Sequence, residues 1–327
     1  MLALYDLYHR TLFERGYVEP AEFVRMAYRQ RRGGDPTEAE YDAIIVDEVQ
    51  DISELGLMLL HSIVGDKRDG LLLVGDNAQR IFTRGYSMRG IGIDIGGRSV
   101  VLRKNYRNTR QILEAAFPLV ATEWEADERA VGVDAASISP EYSVREGHRP
   151  ILVRCDNENE EGAFIAAEVR ALLRYRHYSP RAICVMARNK RYRELAFKAL
   201  RRAGIPAYYY QRQPTGEVTE ERDAVRVSSL HGAKGHEYGA VFVVGAVSAV
   251  IPQPHPGDPE GAAGERALLY VAMTRARDIL YLSHSDANNS RRLLRSPLID
   301  EIQRFCDRCQ YRPHPDHPLA GDWNRGN

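Results

Sequence analysis

Carboxylates follow a short apolar run early in the chain. The letters AIIV at 43–46 are followed at once by Asp47 and Glu48, with Asp51 shortly after. A β-branched run of this length predicts a strand buried on both faces, as in the middle of a parallel sheet. At the carboxyl end of such a strand Asp47 could hold Mg²⁺, and Glu48 could orient or deprotonate an attacking water. The alternative is an acidic turn that caps the following helix.

A second polar loop follows the apolar run at 71–74 and reads GDNAQRIF. Gly75 allows a turn, Asp76 comes at the strand end, and Gln79 is a neutral donor and acceptor. A glutamine there can contact a terminal phosphate or its attacking water. Two neighbouring strands with polar loops at their ends predict one shared cleft.

Aromatic and cationic residues follow a third strand-like run at 99–102. The segment RKNYRNTRQIL presents Tyr106, which could stack on a purine, and Arg107, which could pair with a phosphate. The alternative is a helix cap with surface arginines.

Two later segments also carry cationic side chains that could bind an anion. A Gly-Ala-Lys-Gly turn at 232–235 brings Lys234 and backbone amides close to an anion, although a plain surface turn has the same composition. An apolar helix face at 268–272 is followed by Arg275 and Arg277. An arginine fixed at a helix end can stabilise charge on a transferring phosphoryl group, whereas the alternative is a solvated arginine pair.

Composition bounds the class of protein. The 327 residues suffice for about two domains, and 44% hydrophobic with 28% charged residues is ordinary for a soluble protein. The net charge of +0 argues neither for nor against nucleic acid, since a groove can be basic on a neutral protein. No apolar run reaches the ~18 residues that span a membrane, and the first ten residues lack the basic and then apolar pattern expected of a signal peptide. We expect a cytoplasmic protein with no membrane partner.

The C-terminal stretch leaves two interpretations open. Cys306, Cys309, His314 and His317 are four possible zinc ligands, but the last gap is too short for a zinc knuckle. The alternative is a proline-rich, loosely ordered end.

Hydrophobic periodicity indicates the elements that position these residues. Residues 1–32 read as two helices, and 52–64 as an amphipathic helix. After a polar connector at 123–147, strands alternate with helices, which predicts βαβ units and a parallel sheet. The predicted strands are 151–154, 182–187, 206–210, 224–229, 241–244 and 279–282, and the predicted helices are 160–175, 192–203 and 297–306.

Together the motifs resemble those of superfamily 1 DNA helicases of the UvrD/Rep/PcrA kind. Five segments match in the family's order, and the resemblance covers residues 42–283. The matching segments are DEVQD (47–51), VGDNAQRIF (74–82), LRKNYRNTRQI (102–112), VSSLHGAKGHEY (227–238) and LLYVAMTRARD (268–278).

The resemblance implies a role for each matched residue around ATP and Mg²⁺. Asp47 would hold Mg²⁺, Glu48 would be the general base, and Gln79 and Arg107 would contact the γ-phosphate, while Tyr106 stacks on adenine.

The remaining implied roles belong to later motifs. Glu237 would bind the ribose or couple the domains, and Arg275 would be the arginine finger. His231 and Lys234 belong to the segment that links the nucleotide to single-stranded DNA in the family.

The chain departs from the family in three ways. The phosphate-binding loop, Gly-x4-Gly-Lys-Ser/Thr, is absent, and no Gly-Lys pair occurs. The segment at 211–221 is short where many relatives carry an inserted subdomain. His236 replaces the usual leucine, and the region after Phe82 lacks the usual aromatic-Arg-Gly pattern, so Phe82 and Tyr86 are only candidates for stacking on bases.

We therefore expect an α/β fold with RecA-like parallel sheets, one lobe incomplete and one complete. The expected regions are a partial first lobe with a helical start at 1–98, a second lobe at 99–285, and a helix with a loosely ordered tail at 286–327. The resemblance implies an ATP-dependent helicase moving on single-stranded DNA, N-terminally truncated and inactive by itself, with a separate chain as one source of the missing segment. The alternative is a non-hydrolysing remnant acting as a DNA- or protein-binding module.

Overall fold

A computed structural model of the chain describes residues 2–33, 41–65, 67, 69–76, 88–100, 102, 104–121, 143–210, 223–254, 259–288 and 291–312. The chain forms two compact units, Met1–Val100 and Val101–Asn327. Among the helices in these ranges, none combines the length and the apolar composition needed to cross a membrane.

The first unit contains a two-stranded parallel sheet joined by a helix. Its strands pair from Ile44↔Leu71 to Val46↔Leu73. Ser53 caps the connecting helix, because its Oγ accepts a hydrogen bond from Gly56 N at 3.1 Å. The two predicted N-terminal helices are confirmed. The elements are α1 (Leu2–Glu14), α2 (Pro20–Gly33), β1 (Ile44–Val46), α3 (Glu54–Val64) and β2 (Leu71–Leu73).

The core of the first unit lies on one face of this sheet. Leu57 of α3 is buried with Ile91 and Ile93, and Leu71 and Leu73 pack against them. Successive side chains of a strand point to opposite faces, and α3 covers only one of them. Ile45 is 73% exposed and Leu72 is 54% exposed. The prediction that β1 is buried on both faces is therefore wrong for the described residues.

The second unit is built on a seven-stranded sheet in which every pairing is parallel. The strand order is β13-β5-β10-β9-β6-β8-β7. The predicted α/β class with a parallel sheet is confirmed. The strands are β5 (Ile151–Cys155), β6 (Ile183–Ala187), β7 (Ala207–Tyr209), β8 (Val225–Ser229), β9 (Tyr238–Val244), β10 (Ala276–Ser285) and β13 (Asp307–Gln310).

Two of the helices of this unit begin at asparagine caps where the chain leaves a strand. Asn157 and Asn189 each accept a hydrogen bond at 3.0 Å from the backbone N–H three residues on. The sheet centre is aromatic, with Phe242 stacked on Tyr281 at 4.5 Å between ring centroids. The helices are α4 (Arg110–Ala116), α5 (Glu158–Tyr175), α6 (Lys190–Arg202), α7 (Pro259–Met273) and α8 (Pro297–Ile302).

The small strands differ from the prediction. Residues 99, 100 and 102 form no strand, and Val100 and Leu102 are more than 80% exposed. The strand lies instead in the polar segment that follows, because hydrogen bonds of its asparagines hold it in place. The small strands are β3 (Asn105–Thr109) with β4 (Ser143–Arg145), and β11 (Ala287–Asn288) with β12 (Arg291–Arg292).

The C-terminal region also joins the main sheet. Strand β13 pairs with β5 from Asp307↔Ile151 to Gln310↔Arg154. The helix predicted over 297–306 ends as α8 at Ile302, and Cys306 is buried. His314 and His317 lie outside the described residues, and the described part of the chain contains no group of three potential metal ligands.

Candidate functional site

The two carboxylates after β1 lie in a tight turn. Asp47 is exposed, and its Oδ1 accepts a hydrogen bond from Glu48 N at 2.8 Å. Glu48 has a φ of 52°, in the left-handed region that is uncommon for a residue with a side chain. Strain of this kind persists only where surrounding contacts impose it.

Gln50 supplies such contacts and connects the loops after β1 and β2. Its Nε2 donates a hydrogen bond to Glu48 Oε2, and its Oε1 accepts one from Asp76 N at 3.2 Å. A Cβ added to Gly75 would stand 2.5 Å from Gln50 Oε1, so this approach needs glycine. The two polar loops are therefore neighbours. Sequence reasoning passed over Gln50, although it belongs to the same motif as Asp47.

Three predicted residues of the first unit fall outside this geometry. Gln79, Phe82 and Tyr86 lie outside the described residues. Their proposed contacts with a phosphate and with DNA bases stay predictions.

Two predicted nucleotide contacts of the second unit form an ion pair. Arg107 Nε lies 2.6 Å from Glu237 Oε2, and Arg277 Nη1 lies 3.9 Å from Glu237 Oε1. Both partners of the closer pair keep nearly half of their side-chain surface exposed. The neighbouring Tyr106 is 67% exposed, so its ring has a free surface for stacking.

Two asparagines position Arg107. Asn105 Oδ1 accepts hydrogen bonds from Arg107 N at 2.8 Å and Asn108 N at 3.0 Å. Asn108 is buried, and its Nδ2 donates to Thr274 O at 2.7 Å and Ala276 O at 2.6 Å. Strand β3 is thereby joined to the turn that carries Arg275. The sequence signal for this arrangement is the polar run NYRN at 105–108.

The turn carrying Lys234 is held through its carbonyl groups. Arg226 Nη2 donates to Gly232 O at 3.1 Å, and Arg275 Nη1 approaches His236 O at 3.5 Å. Both arginines are buried, with 3% and 2% exposure. Buried guanidinium groups at two points fix the backbone of this loop, and their charge favours an anion beside it.

Arg226 is also linked to His236 through the ring of Tyr210. Its guanidinium carbon lies 3.3 Å from the ring centroid of Tyr210, which is a cation–π contact. The ring of Tyr210 meets that of His236 edge-on at 5.5 Å between centroids. Sequence reasoning missed Arg226, although a charge inside an apolar strand was a usable signal.

His231 begins the short helical turn that precedes Lys234. Loss of water contact lowers the pKa of its imidazole, and the nearby Arg188 guanidinium lowers it further. Arg188 follows β6 and forms a bidentate pair with Glu265, with Nη2–Oε1 at 2.6 Å.

Arg275, the predicted arginine finger, is buried. Its Nε donates to Val271 O at 3.1 Å, and its own carbonyl accepts from Tyr238 N at 2.9 Å. Its position brings it to the same loop as Lys234 and Glu237. Its role toward a phosphate stays a prediction.

Known proteins of similar sequence are DNA helicases. The chain is 31% identical over 175 residues to ATP-dependent DNA helicase UvrD1 of Mycobacterium tuberculosis, covering 50% of the chain and 21% of that protein. It is 26% identical over 341 residues to UvrD2 of the same organism, covering 74% and 47%. A probable DNA helicase II homolog of Mycoplasma capricolum is 24% identical over 216 residues, covering 62% and 28%. The chain spans less than half the length of these relatives.

A solved structure and two family models complete the comparison. The C-terminal domain of a possible DNA helicase from Lactobacillus plantarum is 20% identical, with a TM-score of 0.43, covering 62% of this chain and 98% of that one; this is too weak to support a conclusion. An AAA domain model matches residues 9–84. The model of the UvrD-like helicase C-terminal domain matches residues 100–215 and 211–287, more than half of the chain. The chain belongs to the UvrD-like DNA helicase family.

Proposed function

We propose that this chain contributes to ATP-driven movement of a UvrD-like helicase on single-stranded DNA. The pairing of Arg107 with Glu237 supports this proposal most directly. These residues are distant in sequence and match different family motifs, yet they lie 2.6 Å apart on one surface of the second unit. An exposed Tyr106 beside them offers a ring to a base.

Each unit, taken by itself, carries side chains that suit part of a nucleotide with Mg²⁺. Asp47 presents an exposed carboxylate, and oxygen ligands of this kind suit Mg²⁺. Bound Mg²⁺ supplies positive charge that neutralises phosphate oxygens. Glu48 would accept a proton from an attacking water, and Gln50 holds its carboxylate through a hydrogen bond. Arg107 would pair with a phosphate by exchanging its contact with Glu237.

The 327 residues alone would bind nucleotide weakly and hydrolyse little. In the family a Gly-Lys-Ser/Thr loop holds the β- and γ-phosphates, and this sequence has no Gly-Lys pair. The alternative function, a non-hydrolysing module that binds DNA or a protein, rests on the same observation.

The proposed DNA contact is the loop of His231 and Lys234. Lys234 carries a positive charge, and the carbonyl contacts of Arg226 and Arg275 fix the loop around it. Contacts to phosphates are tolerant of sequence and sensitive to salt. We expect weak binding of single-stranded DNA that does not depend on its sequence.

Fluorescence anisotropy of a labelled oligonucleotide tests the DNA contact. Lys234→Ala should weaken binding at low salt and reduce the log–log salt slope by about 0.7, because one phosphate contact is lost. Lys67→Ala is the control, since Lys67 already pairs with Asp42 at 2.7 Å. The proposal fails if the chain does not bind DNA, or if Lys234→Ala binds as well as the control.

A further inference from the structure

Four exposed arginines gather where α5 and α6 end. Arg170 and Arg174 stand one helical turn apart on α5, and Arg201 and Arg202 close α6. Arg170 Nη2 donates to Ala203 O at 2.8 Å, which joins the two helix ends. We call these four residues the basic patch.

No described carboxylate neutralises the charges of the basic patch. None of its four guanidinium groups lies within 4.0 Å of a carboxylate oxygen of a described residue. Of the twenty other described arginines of the second unit, ten are paired with a carboxylate. These ten, which lie within that distance of it, are Arg107, Arg110, Arg145, Arg149, Arg154, Arg188, Arg191, Arg266, Arg277 and Arg295.

The basic patch lies near the amino-terminal ends of the parallel strands, whereas the Lys234 loop lies at their carboxyl ends. Helix α5 follows the carboxyl end of β5, and the chain then enters the parallel strand β6. The last turn of α5 therefore lies near the amino-terminal ends of the strands. Helix α6 returns in the same way toward β7. The Lys234 loop follows the carboxyl end of β8. The basic patch is therefore a surface separate from the proposed DNA contact.

The helix dipole offers a simpler explanation. The carboxyl end of a helix favours cations, and the last turn of α6 carries Arg201 and Arg202. The effect of the dipole falls off within the last turn, however, and Arg170 lies before the last turn of α5. Four guanidinium groups on joined helix ends repel one another, and an anionic partner would remove this repulsion.

We propose that the basic patch binds the phosphate backbone of DNA as a second contact. This proposal rests on the proposed function only in taking DNA as the ligand. Guanidinium groups match phosphate oxygens in a bidentate fork, which favours arginine over lysine at such a surface. Arg174 and Arg170 are about 6 Å apart along their helix, a spacing at which they can meet neighbouring phosphates. The contact carries no sequence preference, since phosphates carry no sequence information.

Two matched triple variants of the full 327-residue chain test this proposal. Arg174→Gln, Arg201→Gln and Arg202→Gln remove three patch charges and leave Arg170, which joins the helices. Lys190→Gln, Arg191→Gln and Lys198→Gln remove three charges from α6 that already lie within 4.0 Å of Glu194 or Glu158. The two variants have the same net charge, and thermal melts would verify that both fold.

Anisotropy with labelled single-stranded DNA, measured against salt, is the readout. We expect the patch variant to lower the log–log slope by up to about 2.1, at about 0.7 per phosphate, and the control to leave it unchanged. Equal losses would show a net-charge effect, and no loss would show a solvated surface; either result overturns the proposal. Binding of polyglutamate that depends on the patch, in a chain that does not bind DNA, would also overturn the proposal. Lys234→Ala, measured separately, distinguishes failure of the patch from failure of the proposed function.

Discussion

Arg107 and Glu237 form an ion pair across two motifs that lie 130 residues apart, with Nε and Oε2 separated by 2.6 Å. Arg145 supports the strand that carries Arg107, since it binds Arg107 O and reaches Asp278 Oδ1 at 2.5 Å. Because the closer pair remains partly exposed, its net contribution to stability is small. The proposed nucleotide contact would give the two side chains a role other than stability.

The first prediction concerns this pair. Arg107→Ala and Glu237→Ala should each change the free energy of unfolding by less than about 1 kcal/mol, because the pair is exposed. Both should weaken nucleotide binding in an enzyme that has a phosphate-binding loop. Urea unfolding and titration with a fluorescent nucleotide measure the two effects. Arg110→Ala, which breaks the neighbouring pair with Glu146, is the control. Normal nucleotide binding by both variants would refute the shared role.

The second prediction concerns the isolated chain. It should show no DNA-stimulated ATP hydrolysis above a Glu48→Gln variant, because the sequence lacks the lysine and amides that hold the phosphates. A coupled-enzyme or phosphate-release assay with single-stranded DNA measures this. Clear turnover that disappears in Glu48→Gln would contradict the prediction and show that the chain is active by itself.

The third prediction concerns Arg275 once a polypeptide with the family's phosphate-binding loop is supplied, in cis or as a second chain. Nucleotide binding should return, and Arg275→Ala should then lower turnover on the order of 10³-fold, as loss of an arginine finger does. The buried side chain also donates to Val271 O, so stability should fall by about 1–3 kcal/mol.

Stability and catalysis can be separated at this position. Turnover of Arg275→Ala should be measured well below its melting temperature, with Arg277→Ala as the control because Arg277 is nearby and partly exposed. If the reconstituted Arg275→Ala enzyme is folded and its turnover is unchanged, Arg275 does not act as the arginine finger.

The fourth prediction is a pH dependence from Glu161. This carboxyl is fully buried, accepts hydrogen bonds from Gly245 N at 2.8 Å and Ser283 Oγ at 2.6 Å, and burial raises its pKa. As pH rises, the unfolded chain loses the Glu161 proton first, and the folded protein keeps it to a higher pH. Stability therefore falls as pH rises from the unfolded pKa toward the folded one, by up to about 1.4 kcal/mol per pH unit.

Glu161→Gln should remove that loss, because a glutamine keeps the two acceptor contacts and does not ionise. Urea unfolding between pH 5 and 9 should give a flatter profile for this variant, with Glu160→Gln as the control at the neighbouring position. A wild-type pH profile identical to that of Glu161→Gln would contradict the buried-proton explanation.

Much of the second unit could be predicted from sequence. The alternation of strands and helices after residue 150 matches β5 to β10 closely, since buried strands and amphipathic helices carry strong local patterns. The short polar strands β3 and β13 could not be predicted, because their residues have no strand pattern. Strand β3 is held by Asn108, which bonds to carbonyls more than 160 residues away, and β13 by pairing with β5.

The sequence by itself determined the family and the residue types for phosphate chemistry, because motif order and side-chain chemistry are local properties of the chain. Only the tertiary structure decided which residues meet. It pairs Arg107 with Glu237, joins Glu48 to Asp76 through Gln50, and buries Arg275 against backbone carbonyls. Strand order and loop packing bring these distant groups within hydrogen-bond distance, and no local pattern encodes that distance.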